Sequence, residues 1–535
     1  MSITSFLFIF FVLIVVILYY AVPRKLQWMV LLAASILFYL SFSVIGLFIL
    51  VGTSFFAYFS ALQIQKVQDK QAEWMEKNKQ TADKETKKAR RKYYNKLQSR
   101  YVIFISVLCI GLLFLFKYYG PLAVNVNSVF GSHLWTAENI LLPLGISFYS
   151  LQLIGYVVDV SRGITHAEKN PLKVLLYGSF FLSIMQGPFN RYNHLMPQIC
   201  NEEKPKLNFY KIKLAVLRIT WGYIKKLCIA DQLGRISAEV FSNYTQYPNW
   251  GLGILLGMFC FAVQLYADFS GYMEIIIGIG ELLGIEMPIN FKQPFFSRNM
   301  SEFWQRWHIT LGAWLKDYVF YPILKSNVFQ RFGKWLTKRL GKEAGRKIPT
   351  YIGMLILWTL IGVWHGAGFN FVFGTGLLQF LYIFLGEITM PVTKKIKNKL
   401  KIKEENIFWR IFQSIRCTLL IIFAWVFFNS KTFTDGIKMF GRIVVDKRFH
   451  MDFRSVFTYA TEGKWQPWVL YIFLCTAILL LTDILHEKGI HIREGIERKP
   501  YPIRMLFYIA CIFTLIVFGA YGTEYVNSAF IYFQF

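Results

Sequence analysis

The chain has 535 residues, 55% of them hydrophobic and 18% aromatic, with a formal charge of +28. Its apolar residues gather in bilayer-length blocks, which excludes an ordinary soluble globule, and its basic residues fill the gaps between blocks instead of one solvated face, which argues against nucleic acid. The seven cysteines are scattered, mostly within apolar blocks and without a CxxC pair, so they read as core filler and not as a disulfide or zinc framework.

About eleven blocks stand out, centred near residues 13, 34, 53, 110, 149, 178, 265, 358, 377, 420 and 476, with a further one near 513 and a weaker one near 220. The pattern predicts an all-α polytopic membrane protein of about 11 transmembrane helices plus re-entrant or interfacial helices. It reads as a single integral-membrane domain over 1–535, with N-terminal helices in 1–62, a basic cytoplasmic segment in 66–100, a core in 101–430 and C-terminal helices in 431–535. The first block runs on into further membrane segments without a small-residue cleavage site, and reads as a retained helix. Arg24 and Lys25 follow it. Residues 66–100 then hold twelve Lys or Arg against five acids, a composition suited to an amphipathic helix on the inner surface.

From 101 to about 300 the blocks are broken by glycine, proline and polar residues, as in LLPLGISFYSLQLIGYVVDVSRG, MQGPFNRYNHLMPQ and QLYADFSGYMEIIIGIGELLG. Such segments survive in a bilayer where they face protein or a water-filled cavity. Residues 285–324 are too charged to span and too aromatic for a solvated loop, and suggest an interfacial or re-entrant region lining a pocket, with a helix starting at Ser301 and Glu302. Residues 325–347 carry eight basic residues against one acid, and KKIKNKLKIK occupies 394–403. The positive-inside rule places these two segments and 66–100 in the cytoplasm, and both chain termini outside it. Ordinary helices return from about 410. No internal repeat is visible, which weakens an inverted-repeat transporter.

Of eight histidines, His133, His166, His450, His486 and His491 lie among polar or turn residues and read as surface rings. His194 in NRYNHLMPQ, His308 in WQRWHITL and His365 in GVWHGAGFN remain. Basic segments on both sides of 350–386 make that stretch a hairpin whose turn points away from the cytoplasm. Fifteen residues from Thr350 to Trp364 rise roughly 23 Å as a helix against a hydrocarbon thickness of roughly 30 Å, which sets His365 at depth beside glycines 362, 366 and 368. Desolvation favours the neutral ring that a general base needs, and a ring hydrogen-bonded to a neighbouring helix is an equal alternative. His308 reads as a headgroup anchor or as a functional ring. Asp268, a carboxylate within an apolar run, calls for a partner: Arg306, or a histidine it orients, with a purely structural ion pair an equal alternative. Arg162 and Arg191 follow apolar segments, where they suit an anion or simply the interface. Neither HExxH nor GxSxG occurs, so metal binding gets little support and histidine-assisted direct transfer is the more natural acyl chemistry.

The segments quoted above, together with INFKQPFFSRNMSEFWQRWHITLGAWLKDYVFYP, GVWHGAGFNFVFGTG and the terminal FIYFQF, come in an order that resembles the membrane-bound O-acyltransferases. The likeness runs from residue 1 to about 430 and is strongest to the alginate O-acetylating branch, with the branch that D-alanylates teichoic acids more distant. It implies a ring of helices around a thin central tunnel, His365 as principal catalytic histidine and His308 as the second. Candidate donor or tunnel-lining residues on these motifs are Trp364, Asn370, Asp268, Tyr266, Ser270, Trp304, Arg306, Trp307, Gln186 and Arg191, with no metal. It further implies a bacterial cytoplasmic membrane, no tightly bound cofactor, and a cytoplasmic thioester donor, acetyl-CoA or an acyl-carrier protein. The acyl group, most simply acetyl, would go to an extracytoplasmic polysaccharide through a partner acyltransferase. After DYVFYPI, the basic stretch KSNVFQRFGKWLTKRLGKEAGRK replaces the short Gly, Asn and Arg turn of the alginate branch, which opens the donor to an acidic carrier protein. Competing readings are a saccharide flippase with Asp268 and the histidines as a proton relay, and a scaffold for an extracytoplasmic transferase.

Overall fold

A computed structural model describes residues 1–120, 142–201, 203, 208–246, 251–445 and 465–521. His133, His450 and the FIYFQF segment lie outside the described residues. Every regular element among those described is helical. Among the described residues eight helices are long and apolar enough to cross a membrane: Val44–Lys77, Lys84–Tyr118, Gly251–Leu283, Lys342–His365, Phe369–Lys399, Ile407–Asn429, Leu470–Glu487 and Tyr501–Phe518. Two shorter apolar helices, Phe6–Ala21 and Ile146–Ser161, add to them. Their outer faces carry exposed Phe6, Phe10, Phe48, Leu506 and Phe513, side chains that only a lipid environment accommodates in such numbers. The protein is a multi-pass membrane protein.

The chain divides into two units, residues 1–212 with 279–288, and residues 213–278 with 289–535. In the first unit α1 (Phe6–Ala21) is capped by Ser5 Oγ, which accepts from Phe8 N, and ends at an extended Val22 before Pro23. There follow α2 (Arg24–Leu40), α3 (Val44–Lys77), α4 (Lys84–Leu113), α5 (Ile146–Ser161), α6 (Pro171–Ser179) and α7 (Tyr192–Cys200). The basic segment 66–100 is no separate surface helix: its charges prolong α3 and α4, which turn at 78–83 and restart on an Asp83 cap. The predicted crossing near residue 178 is likewise not a membrane-length helix. α6 stops at Ser179, and 180–190 continue as buried turns in which Phe181 N donates to Ser35 Oγ at 3.2 Å and Gly187 N to Ser183 O at 3.1 Å. Protein burial with internal partners is the condition under which irregular backbone persists at membrane depth. Gly145, at φ +64°, packs on this turn, and a Cβ there would lie 1.9 Å from the Ile184 carbonyl oxygen.

The second unit is built along α10 (Gly251–Leu283) up to Gly278, the most buried of the eight long helices. Before it come α8 (Phe209–Tyr223), a π-helical turn at Ile224–Ala230 and α9 (Asp231–Asn243). α8 and α10 cross at two glycines: a Cβ on Gly222 would meet the Gly271 carbonyl oxygen at 2.7 Å, and one on Gly271 the Gly222 oxygen at 2.9 Å. Small residues at a crossing let backbones close in, the usual device of membrane helices. After α10 the chain breaks into α11 (Met300–Arg306), α12 (Ile309–Leu315), a π-helical turn at Lys316–Phe320, α13 (Tyr321–Lys325) and α14 (Asn327–Leu340). α11 starts earlier than the expected Ser301, because the Asn299 side chain caps Glu302 N at 2.9 Å. α15 (Lys342–His365) and α16 (Leu378–Lys399) form the hairpin, joined through a π-helical turn at Val372–Leu377. α15 already begins at Lys342, so the apolar stretch from Thr350 is the inner part of a longer helix. Completing the unit are α17 (Ile407–Asn429), α18 (Phe433–Val445), α19 (Trp465–Glu487), α20 (Ile492–Glu497) and α21 (Tyr501–Phe518). Ile229 and Leu233 pack with Val263, Ala267, Ile472 and Leu479 to tie α9, α10 and α19 together.

Candidate active site

Glycines set the hairpin's geometry. A Cβ on Gly362 would sit 2.6 Å from Val372 Cα, and one on Gly376 the same distance from the Trp358 carbonyl oxygen. The two arms therefore touch backbone to backbone. α15 ends at His365, whose ring is buried and meets Trp364 at 5.0 Å and Phe428 at 5.6 Å between centroids. Gly366 and Gly368 are filled by the chain's own next turn, with Phe371 and Asn370 at the positions a Cβ would take.

His308 arrives from a different break in the chain. It is the N-cap residue of α12 with φ +48°, a left-handed conformation uncommon outside glycine. Phe269 stands edge-on to its ring at 4.8 Å, and Trp364 lies 6.0 Å away, also edge-on. Burial pushes the His308 imidazole down to about 3, which keeps the ring neutral at physiological pH.

Both histidines line one cavity of about 440 Å³ within the second unit. Trp304, Trp307, Trp358, Trp425 and Phe428 supply much of its wall, and Ser301, Gln305, Lys316, Tyr321 and Thr375 the polar points. Trp304 is fixed by a 3.3 Å hydrogen bond from its Nε1 to Gln379 Oε1, and Gln379 in turn donates to Gly374 O at 3.0 Å. An apolar cavity with two converging imidazoles and few other polar groups suits a neutral, polarisable substrate group and proton transfer to or from it.

Other candidates fall elsewhere. Asp268 is held by a lysine: Lys226 Nζ lies 2.7 Å from Asp268 Oδ1 and 2.7 Å from Asp231 Oδ1, all three groups being buried. The glycine crossing of α8 and α10 puts them side by side. Arg306 instead holds Glu302 at 2.9 Å and Glu487 at 2.7 Å. Tyr266 donates to the Asp483 carboxylate at 2.8 Å and, with Ser270, lines a smaller polar recess of about 60 Å³. Asn370 is structural in its contacts, donating to Ser430 O at 2.9 Å and Phe427 O at 3.3 Å. Trp364 sits between the two imidazoles. Gln186 and Arg191 belong to the first unit, where Gln186 is fully buried and Arg191 is the N-cap residue of α7. His194 and His486 are exposed. Sequence reasoning missed Lys226, hidden in a Lys225–Lys226 pair that reads as boundary charge, and Asn290, whose signal is an amide between Ile289 and Phe291 in a segment already marked as irregular.

Residues 168–429, which include both cavity histidines, match the family described as MBOAT, membrane-bound O-acyltransferase. Over this stretch the chain is similar to the membrane-bound O-acyltransferases, and it is an acyltransferase. It is 29% identical over 428 residues to the probable alginate O-acetylase of Pseudomonas aeruginosa, covering 79% of this chain and 71% of that one. The peptidoglycan O-acetyltransferase of Helicobacter pylori is 28% identical, with 78% and 73% covered. The teichoic acid D-alanyltransferase of Bacillus subtilis is also 28% identical, over 48% of this chain and 65% of its own length. In this O-acyltransferase the family match begins at Glu168, so α1 to α5 lie before it.

Proposed function

We propose that this O-acyltransferase moves an acetyl group from a cytoplasmic thioester through the histidine cavity, for O-acylation of an extracytoplasmic polysaccharide by way of a partner acyltransferase. The observation that carries the reading is the convergence of His308 and His365 on one largely apolar cavity. His365 acts as general base: it takes the proton of an attacking hydroxyl as the hydroxyl oxygen bonds to the thioester carbonyl carbon. The carbon–sulfur bond then breaks and the leaving thiolate receives the proton from the imidazolium. His308, held neutral, orients the donor carbonyl or donates to the oxyanion as it develops.

The cavity lining favours acetyl over D-alanyl. Among the described residues lining the cavity none is acidic, whereas Lys316 is present. An aminoacyl group would bring an ammonium into an apolar space without a counter-charge. The donor side is basic: α14 exposes Arg331, Lys334, Lys338 and Arg339, a surface complementary to the phosphates of coenzyme A or to an acidic carrier protein. The acetylating relatives support a polysaccharide acceptor.

The test is His365→Ala in cells, read by mass spectrometry of surface polymers. Polymer acetylation is expected to vanish while the variant accumulates in the membrane at the normal level; acetylation at the wild-type level would remove the assignment.

A further inference from the structure

We propose that Asn290 is a positioning residue for His308, supplying in trans the helix cap that the histidine itself does not make. The inference rests on the reading of His308 as a participant in acyl transfer. At a helix start the N-cap side chain normally accepts from the backbone N–H of the second or third helical residue, which is why Ser, Thr, Asp and Asn dominate there. In α12 the N-cap position is His308, and its side chain makes no capping bond. His308 lines the cavity instead.

The capping bonds come from Asn290, which is 1% exposed. Its Oδ1 accepts from Thr310 N at 3.0 Å and from Thr310 Oγ1 at 2.7 Å. Its backbone carbonyl accepts from Ile309 N at 3.1 Å. These bonds hold both residues that follow His308, and Lys292 N donates to Arg306 O at 3.0 Å on the preceding side. Asn290 is itself steadied by a 3.3 Å contact from Nδ2 to Met273 Sδ on α10. The left-handed backbone of His308 is thus fixed on both flanks by one extended strip, residues 290–292. With the cap placed on Asn290, His308 lines the cavity while its Cα stays in place, and buried hydrogen bonds give that placement its stiffness.

The experiment uses full-length protein in membranes that retain the native acceptor, with acetyl-CoA as probe and kcat and KM read separately. Asn290→Ala is expected to lower kcat roughly 10 to 100-fold with KM changed less than about twofold, the signature of a displaced participating group. Asn290→Asp keeps an acceptor for both Thr310 donors and is expected to recover most of the rate. In a His308→Ala background Asn290→Ala is expected to add less than about twofold, because the two residues act as one unit. Wild-type kcat for Asn290→Ala, or a full multiplicative loss on top of His308→Ala, overturns the proposal. If Asn290→Ala does not accumulate in the membrane, Thr310→Val removes the 2.7 Å bond alone; its kcat is expected to fall about threefold or more and not to multiply with His308→Ala, and an unchanged kcat overturns the proposal. His308→Ala by itself separates the two levels: wild-type activity there removes the role of His308, and with it any positioning role.

Discussion

The two imidazoles of the cavity are conspicuous in the sequence because each interrupts an aromatic, apolar run, and a titratable ring in such a run has few inexpensive explanations. Their meeting is not legible, since residues 308 and 365 are separated along the chain by four helices, α12 to α15. The same limit left the partner of Asp268 open. A buried carboxylate demands a cation, but the sequence offers several, and the one chosen by the glycine crossing of α8 and α10 is Lys226 and not Arg306. His308 also leaves a trace in stability. Its unfolded ring titrates near 6.5 and its folded ring near 3, so between those values the unfolded chain binds a proton that the folded one refuses. Stability is therefore fully present above pH 6.5 and falls as pH drops toward 3. At pH 5 the loss from this ring is about 2 kcal/mol. Thermal unfolding in detergent at pH 7 and pH 5 should show this drop for the wild type and a smaller one for His308→Gln; equal slopes would mean that the ring is not buried neutral.

At the scale of elements, the periodicity of apolar residues locates helices well and their ends poorly. Charged residues beyond an apolar block look like loop, yet α3 and α4 continue through them because nothing breaks the helix between the block and Asn78 or Asp83, and α15 runs on from Lys342 in spite of Gly345 and Pro349. Conversely the block near 178 looks like a crossing, but Gly178, Gly187 and Pro188 break it into a short helix and buried turns. The π-helical turn at Ile224–Ala230 escapes pattern reading altogether. It joins α8 to α9, and within it Lys226 reaches both Asp231 and Asp268. One ammonium thus serves two buried carboxylates. Lys226→Met should cost about 3 to 5 kcal/mol, the usual consequence of leaving buried charge without its partner. The triple change Lys226→Met, Asp231→Asn, Asp268→Asn removes the charges together and should regain much of that loss. Size-exclusion profile and thermal midpoint in detergent check both; a single variant as stable as the wild type would show that water, and not Lys226, satisfies the carboxylates.

Across the whole molecule, composition already states that the protein lives in a membrane, and the positive-inside rule predicts which side each turn faces. The number of crossings is less legible, because eight long helices and two shorter apolar ones share the lipid exposure that the sequence spreads over about eleven blocks. The sidedness can be tested independently of that number. Lys79, Lys338 and Lys399 are exposed and lie in the three basic segments, while Ser2 is exposed near the start of the chain. If basic turns remain in the cytoplasm, cysteines placed singly at 79, 338 and 399 should resist a membrane-impermeant maleimide in intact cells and react after permeabilisation. A cysteine at position 2 should react in intact cells. Labelling at 338 from outside would put the basic α14 on the acceptor side, where it has no thioester to receive, and the donor assignment would fall even with the histidine cavity intact.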